Sequence, residues 1–383
     1  MARQYLVLLL LSGCLIEGAP DGEDSAVATR IAAGNGTFYA VTSTGSVRAW
    51  GAGQHAGIPD AGQLRVPTTI PGLESGVKDI SSYGDTTCVL MVDGTVECWG
   101  DNNDGTVGDG TTAEQPVPTP VPGLSGVTSL SMGAKFACVV VNGGVKCWGL
   151  NDSHELGLGD PDELTDAPMH SYTPVDVPGL ESGVDRVVAG YFHACAFMHA
   201  GPLTCWGDNE FGELGIGENH RAEEPVYVGD PLPQMTGITN PRDVALGYGW
   251  AILATDTGVV KSLGNDVDEQ VLGLGPDHFG DEPLPLDVIG VPTGATAVSD
   301  LCAIVNGEAW CWSQSQTPDA RDAALASKIP GITNAVQITG GPTTCVLDTE
   351  GAIRCWGTNG VGEVGDGSMD QSVDNPAPVL SFP

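Results

Sequence analysis

Positive charge is what this sequence has least of. Its 383 residues carry 14 Lys+Arg against 49 Asp+Glu, a formal net charge of -35. Nucleic-acid binding depends on Lys and Arg neutralising phosphates, so a nucleic-acid partner is excluded. An anionic lipid surface would repel the chain, and membrane contact then needs a covalent anchor. Long apolar runs are also missing: Leu6 to Leu11 falls far short of the about 20 residues that span a bilayer. Catalytic signatures are absent, with no H-E-x-x-H pair, no G-x-S-x-G elbow and no Walker-type phosphate loop. His55, His154, His170, His193, His199, His220 and His278 are scattered over the chain without ligand spacing, and there is no C-x-x-C. No metal and no cofactor are therefore expected, and the chain does not read as an enzyme.

What is present points to an exported all-β protein. Hydrophobic residues make up 41%, enough for a core despite the acidity, and 55 Gly with 27 Pro imply many turns. Residues 1–13 read as an export signal, with Arg3 ahead of the apolar run. Leu11-Ser12-Gly13-Cys14 resembles the bacterial lipobox, which implies acylation of Cys14. Leu15, not an acidic residue, follows, and the resemblance then implies outer-membrane sorting. Residues 14–29, rich in Gly, Ala, Asp, Glu and Ser, read as the lipidated cysteine and a flexible tether.

Internal repeats decide the fold. Cys98-Trp99-Gly100-Asp101-Asn102 returns as Cys147-Trp148-Gly149-Leu150-Asn151, Cys205-Trp206-Gly207-Asp208-Asn209 and Cys355-Trp356-Gly357-Thr358-Asn359. Weaker copies are Ala49-Trp50-Gly51, Ser262-Leu263-Gly264-Asn265 and Cys311-Trp312-Ser313. Seven copies at spacings of 49, 49, 58, 57, 49 and 44 predict a seven-bladed β-propeller of four-stranded antiparallel blades over residues 30–383. Pro376 to Leu380 repeats the phrase that precedes each blade. This tail is expected to pair with N-terminal strands and close the ring, leaving no long free edge.

Ten of the 11 cysteines fall in five pairs, one per repeat: Cys88/Cys98, Cys138/Cys147, Cys195/Cys205, Cys302/Cys311 and Cys345/Cys355. A spacing of 9 accompanies Asn142-Gly143 and Asn306-Gly307, the signal of a two-residue type I′ hairpin. A spacing of 10 accompanies Gly94, Gly201 and Gly351 at the left-handed position of a three-residue loop. Either register sets the two cysteines opposite one another. The other two repeats lose both members together, carrying Tyr39/Ala49 and Ile252/Ser262. Five cross-strand disulfides follow, in keeping with export.

The phrases Gly190-Tyr191-Phe192-His193-Ala194 and Trp206-Gly207-Asp208-Asn209 to Gly212-Glu213-Leu214-Gly215 resemble the regulator of chromosome condensation repeat family. The resemblance covers residues 30–380, with repeats one, five and six degenerate, and the Cys-Trp-Gly form resembles a secreted bacterial branch. It implies a binding propeller. The founding member acts on chromatin and a small GTPase, a role that the export signal and acidity oppose. A closer analogy is the family's secreted inhibitor of β-lactamase. His193, at a typical repeat position, is expected to be a structural hydrogen-bonding residue.

Two variable regions are candidate contact surfaces. The turn after the first strand holds Lys135-Phe136, Tyr191-Phe192 and Tyr248-Gly249-Trp250 in successive repeats, which adjacent blades would gather on one face, and aromatics are enriched in binding hot spots. The long connections carry Asp160, Asp162, Glu163, Asp166, Glu218, Glu223, Glu224, Asp266, Asp268 and Glu269, a candidate acidic rim. The recurring Trp is assigned to packing between blades. Asp101 to Gly105 resembles the start of a calcium loop, but Asn recurs there without the acids and reads as a turn. The expectation is a monomeric, lipid-anchored module that recognises a protein or a glycan. Alternatives are an inhibitor of an exported enzyme, a purely structural envelope protein, and a propeller-fold lyase or hydrolase.

Overall fold

A computed structural model describes residues 26–158, 168–199, 201–219, 233–266, 272–275, 278, 280–312 and 325–382. The export signal, Cys14 and most of the tether lie outside the described residues. Twenty-eight strands form seven four-stranded antiparallel sheets, each built from four consecutive strands. The blades span 28–69, 77–120, 127–176, 184–239, 243–287, 295–328 and 335–378. The first strands of successive blades contact one another around the ring, the first blade meeting the seventh. The fourth strand is the outer edge, which explains its prolines. Pro67, Pro116, Pro118, Pro120, Pro174, Pro283, Pro285, Pro376 and Pro378 all lie on fourth strands, where a missing N–H breaks no ladder.

The hairpins follow the predicted turn chemistry with one exception. Asn142 and Gly143 have φ of 53° and 81°, Asn306 and Gly307 have 52° and 80°, so both loops are type I′. Gly94 and Gly351 are left-handed at 82° and 84°, but Gly201 is not. The five disulfides form as paired in the sequence, and each joins directly opposed residues. Their Cα atoms are 4.0–4.1 Å apart, the close approach of a non-hydrogen-bonded pair. The cysteine-free blades keep the register, Tyr39 facing Ala49 and Ile252 facing Ser262. There the Tyr39 hydroxyl donates to His55 O at 3.0 Å and Ser262 Oγ to Leu272 O at 2.6 Å.

No sheet ladder joins one blade to the next, so side chains and single main-chain bonds between loops and turns hold the ring. Trp50, Trp99, Trp148 and Trp206, all 0% exposed, each donate Nε1 to a loop carbonyl of the preceding blade. The acceptors are Glu363, His55, Thr106 and Glu155, at 2.8, 3.1, 2.8 and 2.9 Å. Nearer the axis, Ser81, Ser129, Ser131 and Asp243 accept the main-chain N–H of Met132, Val187, Ala189 and Val298 in the following blade.

Two expectations need correction. The tail does not pair with N-terminal strands: Ser372–Pro378 pairs with Ile353–Thr358 of its own blade. The repeat starts at the innermost strand, so both the first and last blades are complete and nothing is left to exchange. Closure uses the inter-blade devices instead. Gln337 accepts Ile31 N at 3.1 Å and donates to Ile31 O at 2.7 Å, Trp50 reaches Glu363, and Gly367 N donates to Arg65 O at 3.1 Å. The second correction is the tether boundary. Ala28 already begins a strand, is buried, and donates to Gly351 O at 3.2 Å.

The loop after each Cys-Trp-Gly is ordered from inside. Asn102, Asn151, Asn209 and Asn359 each accept the N–H five residues on, at 2.9–3.0 Å. Glu155, Glu213 and Glu363 turn inward and accept the N–H two residues before them. Burial pushes Glu155 well above the usual carboxylate range. Burial, and then the charge of Asp208, push Glu213 up to about 8.

Two predictions follow from this architecture. Under denaturing alkylation without reductant none of the ten paired cysteines should react, and all ten should after reduction; labelling before reduction would contradict the pairing. Glu213 holds its proton in the fold between its ordinary 4.5 and about 8, so its contribution to stability is full below 4.5 and is lost as pH rises through that window. Glu213→Gln keeps the neutral acceptor. Stability of this variant should therefore gain on the parent by on the order of 1 kcal/mol per pH unit across the window, read from denaturant midpoints; parallel curves would refute the assignment.

Candidate binding face

The turn from first to second strand and the start of the loop after the third strand emerge at the same end of each blade, because the strands alternate in direction. The turns are pinned to their neighbours by main-chain bonds. Asn35 N donates to Gly84 O, Ala134 N to Gly190 O and Tyr191 N to Gly247 O, at 2.7, 3.1 and 3.2 Å. On blades four and five these turns carry an aromatic cluster. The Tyr191 ring lies 4.4 Å from Phe192 and 5.0 Å from Tyr248, and Phe192 lies 5.7 Å from Tyr248, all edge to face. Phe211, from the loop after the third strand, approaches Tyr248 at 6.4 Å, and Tyr83 of blade two reaches Tyr191 at 6.1 Å. Tyr248 is 53% exposed.

Three of the predicted contact residues thus come together, Tyr191, Phe192 and Tyr248. Two others are corrected. Phe136 and Trp250 are buried, because both open the second strand opposite the Gly of the Cys-Trp-Gly copy: Phe136 faces Gly149 and Trp250 faces Gly264. Their rings lie on Gly133 and Gly247, where a Cβ would come within 2.2 and 2.0 Å of them. Lys135 is exposed at the same end, but its ammonium is 3.1 Å from Asp104, which also meets His170 at 3.3 Å. A hydrogen bond and the charge of Asp104 raise the Lys135 pKa.

His193 shares the strand-opening position of Phe136 and Trp250, facing Gly207. It is fully buried, and neither ring nitrogen meets a hydrogen-bond partner among the described residues. The expected hydrogen-bonding role is therefore not seen. Desolvation lowers its pKa to about 3, so it is a neutral core residue.

Of the acidic residues assigned to a rim, Asp160, Asp162, Glu163, Asp166, Glu223, Glu224, Asp268 and Glu269 lie outside the described residues. Glu218 is exposed, and its carbonyl accepts Asn209 Nδ2 at 2.9 Å. Asp266 is corrected: it is 2% exposed and accepts Leu272 N at 3.1 Å. It occupies the place of the recurring Asn, and its second oxygen meets His278 at 3.2 Å. In the calcium-like stretch Asn102 is the same buried loop cap, and Asp101 accepts from Asn103 while Asp104 pairs with Lys135.

The aromatic cluster borders a cavity of about 660 Å³ at the axis, lined by residues of all seven blades. Tyr83, Asp85, Asp101, Lys135, Tyr191 and Asp300 supply its larger polar groups. Sequence reasoning missed Tyr83, Phe211 and Asp300. Tyr83 carried a readable signal, because it stands where Gly34, Gly133, Gly190, Gly247 and Gly340 stand in other repeats. Asp300 did not, since its turn is shortened, with Ser299 facing Cys302 directly.

Burial separates the two residues of the Tyr248-Gly249-Trp250 turn. Trp250→Ala should cost about 3–5 kcal/mol, whereas Tyr248→Ala should change stability by less than about 1 kcal/mol. Chemical denaturation of both variants checks this, and equal losses would place Tyr248 in the core.

Sequence and structure comparisons agree with this architecture. The regulator of chromosome condensation (RCC1) repeat model matches residues 93–140 and 142–197, and a second RCC1 repeat model matches 77–106. The chain is 28% identical over 165 residues to the mitochondrial RCC1 domain-containing protein RUG3 of Arabidopsis thaliana, covering 42% of this chain and 34% of that protein. It is 24% identical over 229 residues to the ultraviolet-B receptor UVR8 of the same plant, covering 55% and 49%. The chain thus spans between a third and a half of the length of these relatives. Among solved structures, human WBSCR16 superposes with a TM-score of 0.70 at 19% identity, covering 88% of this chain and 94% of that one. Yeast RCC1 (Prp20), in a structure with Kap60, gives a TM-score of 0.56 at 17% identity, covering 92% and 74%. These structural likenesses concern the fold alone. The repeat matches, the seven four-stranded blades and the recurring Cys-Trp-Gly-x-Asn unit agree: the chain carries regulator of chromosome condensation repeats, matched over residues 77–197.

Proposed function

We propose that this propeller is an exported recognition module, a monomer tethered to the cell envelope by lipid on Cys14, that binds a protein partner through the aromatic turns of blades four and five. The observation that carries the reading is the edge-to-face cluster of Tyr191, Phe192 and Tyr248. These rings are held on a main-chain frame, with Tyr191 N bonded to Gly247 O, so little conformational freedom remains to be lost on binding. Rigid tyrosines with an apolar body and a polar tip suit a protein interface. Five disulfides support an oxidising compartment, and the net charge of -35 argues against nucleic acid. Inhibition of an exported enzyme is one form such recognition takes.

The test joins location and binding. Cys14→Ser should move the protein from the membrane to the soluble fraction, and unchanged partition would remove the anchor. Immobilised protein should retain an envelope or secreted protein. Retention should fall at least tenfold for the Tyr191→Ala, Tyr248→Ala double variant and stay unchanged for Val92→Ser, which alters an exposed hairpin residue at the opposite end of the ring. Retention indifferent to the double variant would move the site off this face, and retention of glycan alone would replace the protein partner.

A further inference from the structure

The axial cavity has a chemical polarity of its own. Its lining includes Tyr83 of blade two, Tyr191 of blade four and Asp300 of blade six, and the two tyrosine rings meet at 6.1 Å. The two tyrosine rings are nearly perpendicular, at 85°. Asp300 lines the same cavity and is half-buried, its carboxylate beside Gly341, where a Cβ would come within 3.0 Å of Oδ2. No cation pairs with Asp300 among the described residues. Lys135 is the single Lys or Arg lining the cavity among the described residues, and it is tied to Asp104. The other lining carboxylates, Asp85 and Asp101, are engaged: Asp85 meets His55 at 3.4 Å and Asp101 accepts from Asn103 at 2.6 Å. A partly enclosed carboxylate in a cavity that also presents aromatic rings is complementary to one cation.

We propose that this mouth receives a lysine or arginine side chain from the bound partner, with Asp300 as its counter-charge and Tyr83 and Tyr191 as its walls. The proposal rests on the recognition reading above and names the chemistry of what is recognised. A partner side chain fits better than a free amino acid, because the cavity offers no uncommitted cation to meet a carboxylate. The adjoining aromatic cluster supplies the surface on which the rest of the partner lies. The ionisation of the site agrees. Desolvation raises Asp300 to about 7 and Tyr83 above its ordinary range, the latter also through Asp300 and Tyr191. The charged and titratable groups lining the cavity with Asp300 are Tyr83, Tyr191, Asp85, Asp101 and Lys135. A bound cation favours the ionised carboxylate, so affinity should rise about five- to tenfold from pH 6 to pH 8.

The probes are Nα-acetyl-lysine methylamide, its arginine counterpart, the uncharged norleucine counterpart and putrescine. They are titrated into the oxidised protein carrying ring-13C tyrosine, with Tyr83→Phe and Tyr191→Phe assigning the two resonances. The lysine and arginine compounds should shift the rings of Tyr83 and Tyr191, more strongly at pH 8, and norleucine should not. Asp300→Asn, which removes a charge without changing shape, should weaken lysine binding at least tenfold while its melting temperature is maintained or raised. No shift, an equal response to norleucine, or unaltered binding by Asp300→Asn overturns the pocket. Putrescine binding more than tenfold tighter than the lysine compound assigns the mouth to a free amine and overturns the partner side chain. If the pocket fails while partner capture still depends on Tyr191 and Tyr248, the recognition face survives without it. If capture is indifferent to those tyrosines, that reading fails separately.

Discussion

At four junctions of the ring the indole N–H of one blade reaches a carbonyl of the blade before it. Each blade is a complete sheet, so its ladder ends at its edges, and the main-chain bonds that cross to the next blade are single ones such as Ala134 N to Gly190 O. Trp50, Trp99, Trp148 and Trp206 supply the missing link with a buried, directional bond and a large apolar surface in the same side chain. The acceptor is always in the loop that follows the third strand, and this is why that loop is so tightly specified. Its Asn caps the turn from inside and its Glu folds back on its own main chain. The closing contact, Trp50 to Glu363, is the same contact as the others. A shared closing sheet is therefore unnecessary, and the last strand stays in its own blade.

Holding the loops by buried acids has an electrostatic consequence. Glu155 and Glu213 are desolvated carboxyls in a chain already strongly acidic, and their pKa values rise. His193 is desolvated in the opposite sense, falling to about 3. Raised acids favour the fold at low pH, and a histidine kept neutral favours it above its ordinary 6.5. The two kinds of group pull stability in opposite directions, so mildly acidic conditions suit the interior best.

With the inter-blade contacts fixed from inside, the turns at one end are released for variation. The position that opens the second strand is always inward, whether it holds Thr86, Phe136, His193 or Trp250. The positions just before it differ from blade to blade and include the exposed Asp85, Lys135 and Pro342. Tyr191, Phe192 and Tyr248 therefore form a surface cluster beside an axial mouth carrying Tyr83 and Asp300, while large rings one or two residues away are core.

The sequence by itself determined the blade count, the strand order within each blade, the cysteine pairing and the two type I′ turns. All of these are local: a hairpin's register follows from its loop length, and repeats at one period report one unit copied seven times. Comparison of repeat columns also held more than a reading of aromatic residues drew from it. Phe136, His193 and Trp250 share a column with Thr86, and Asp266 falls in the column of Asn102 and Asn209, which marks all four as inward. What only the tertiary structure decided is what lies between blades. Tyr83 meets Tyr191, Phe211 meets Tyr248, and Asp300 lines the same axial cavity as both tyrosines, although these residues stand far apart in the chain. Sequence periodicity fixes a residue's place within its blade. The curvature of the ring, set by the packing of Trp and loop between neighbouring sheets, determines which residues from distant blades converge on the axis.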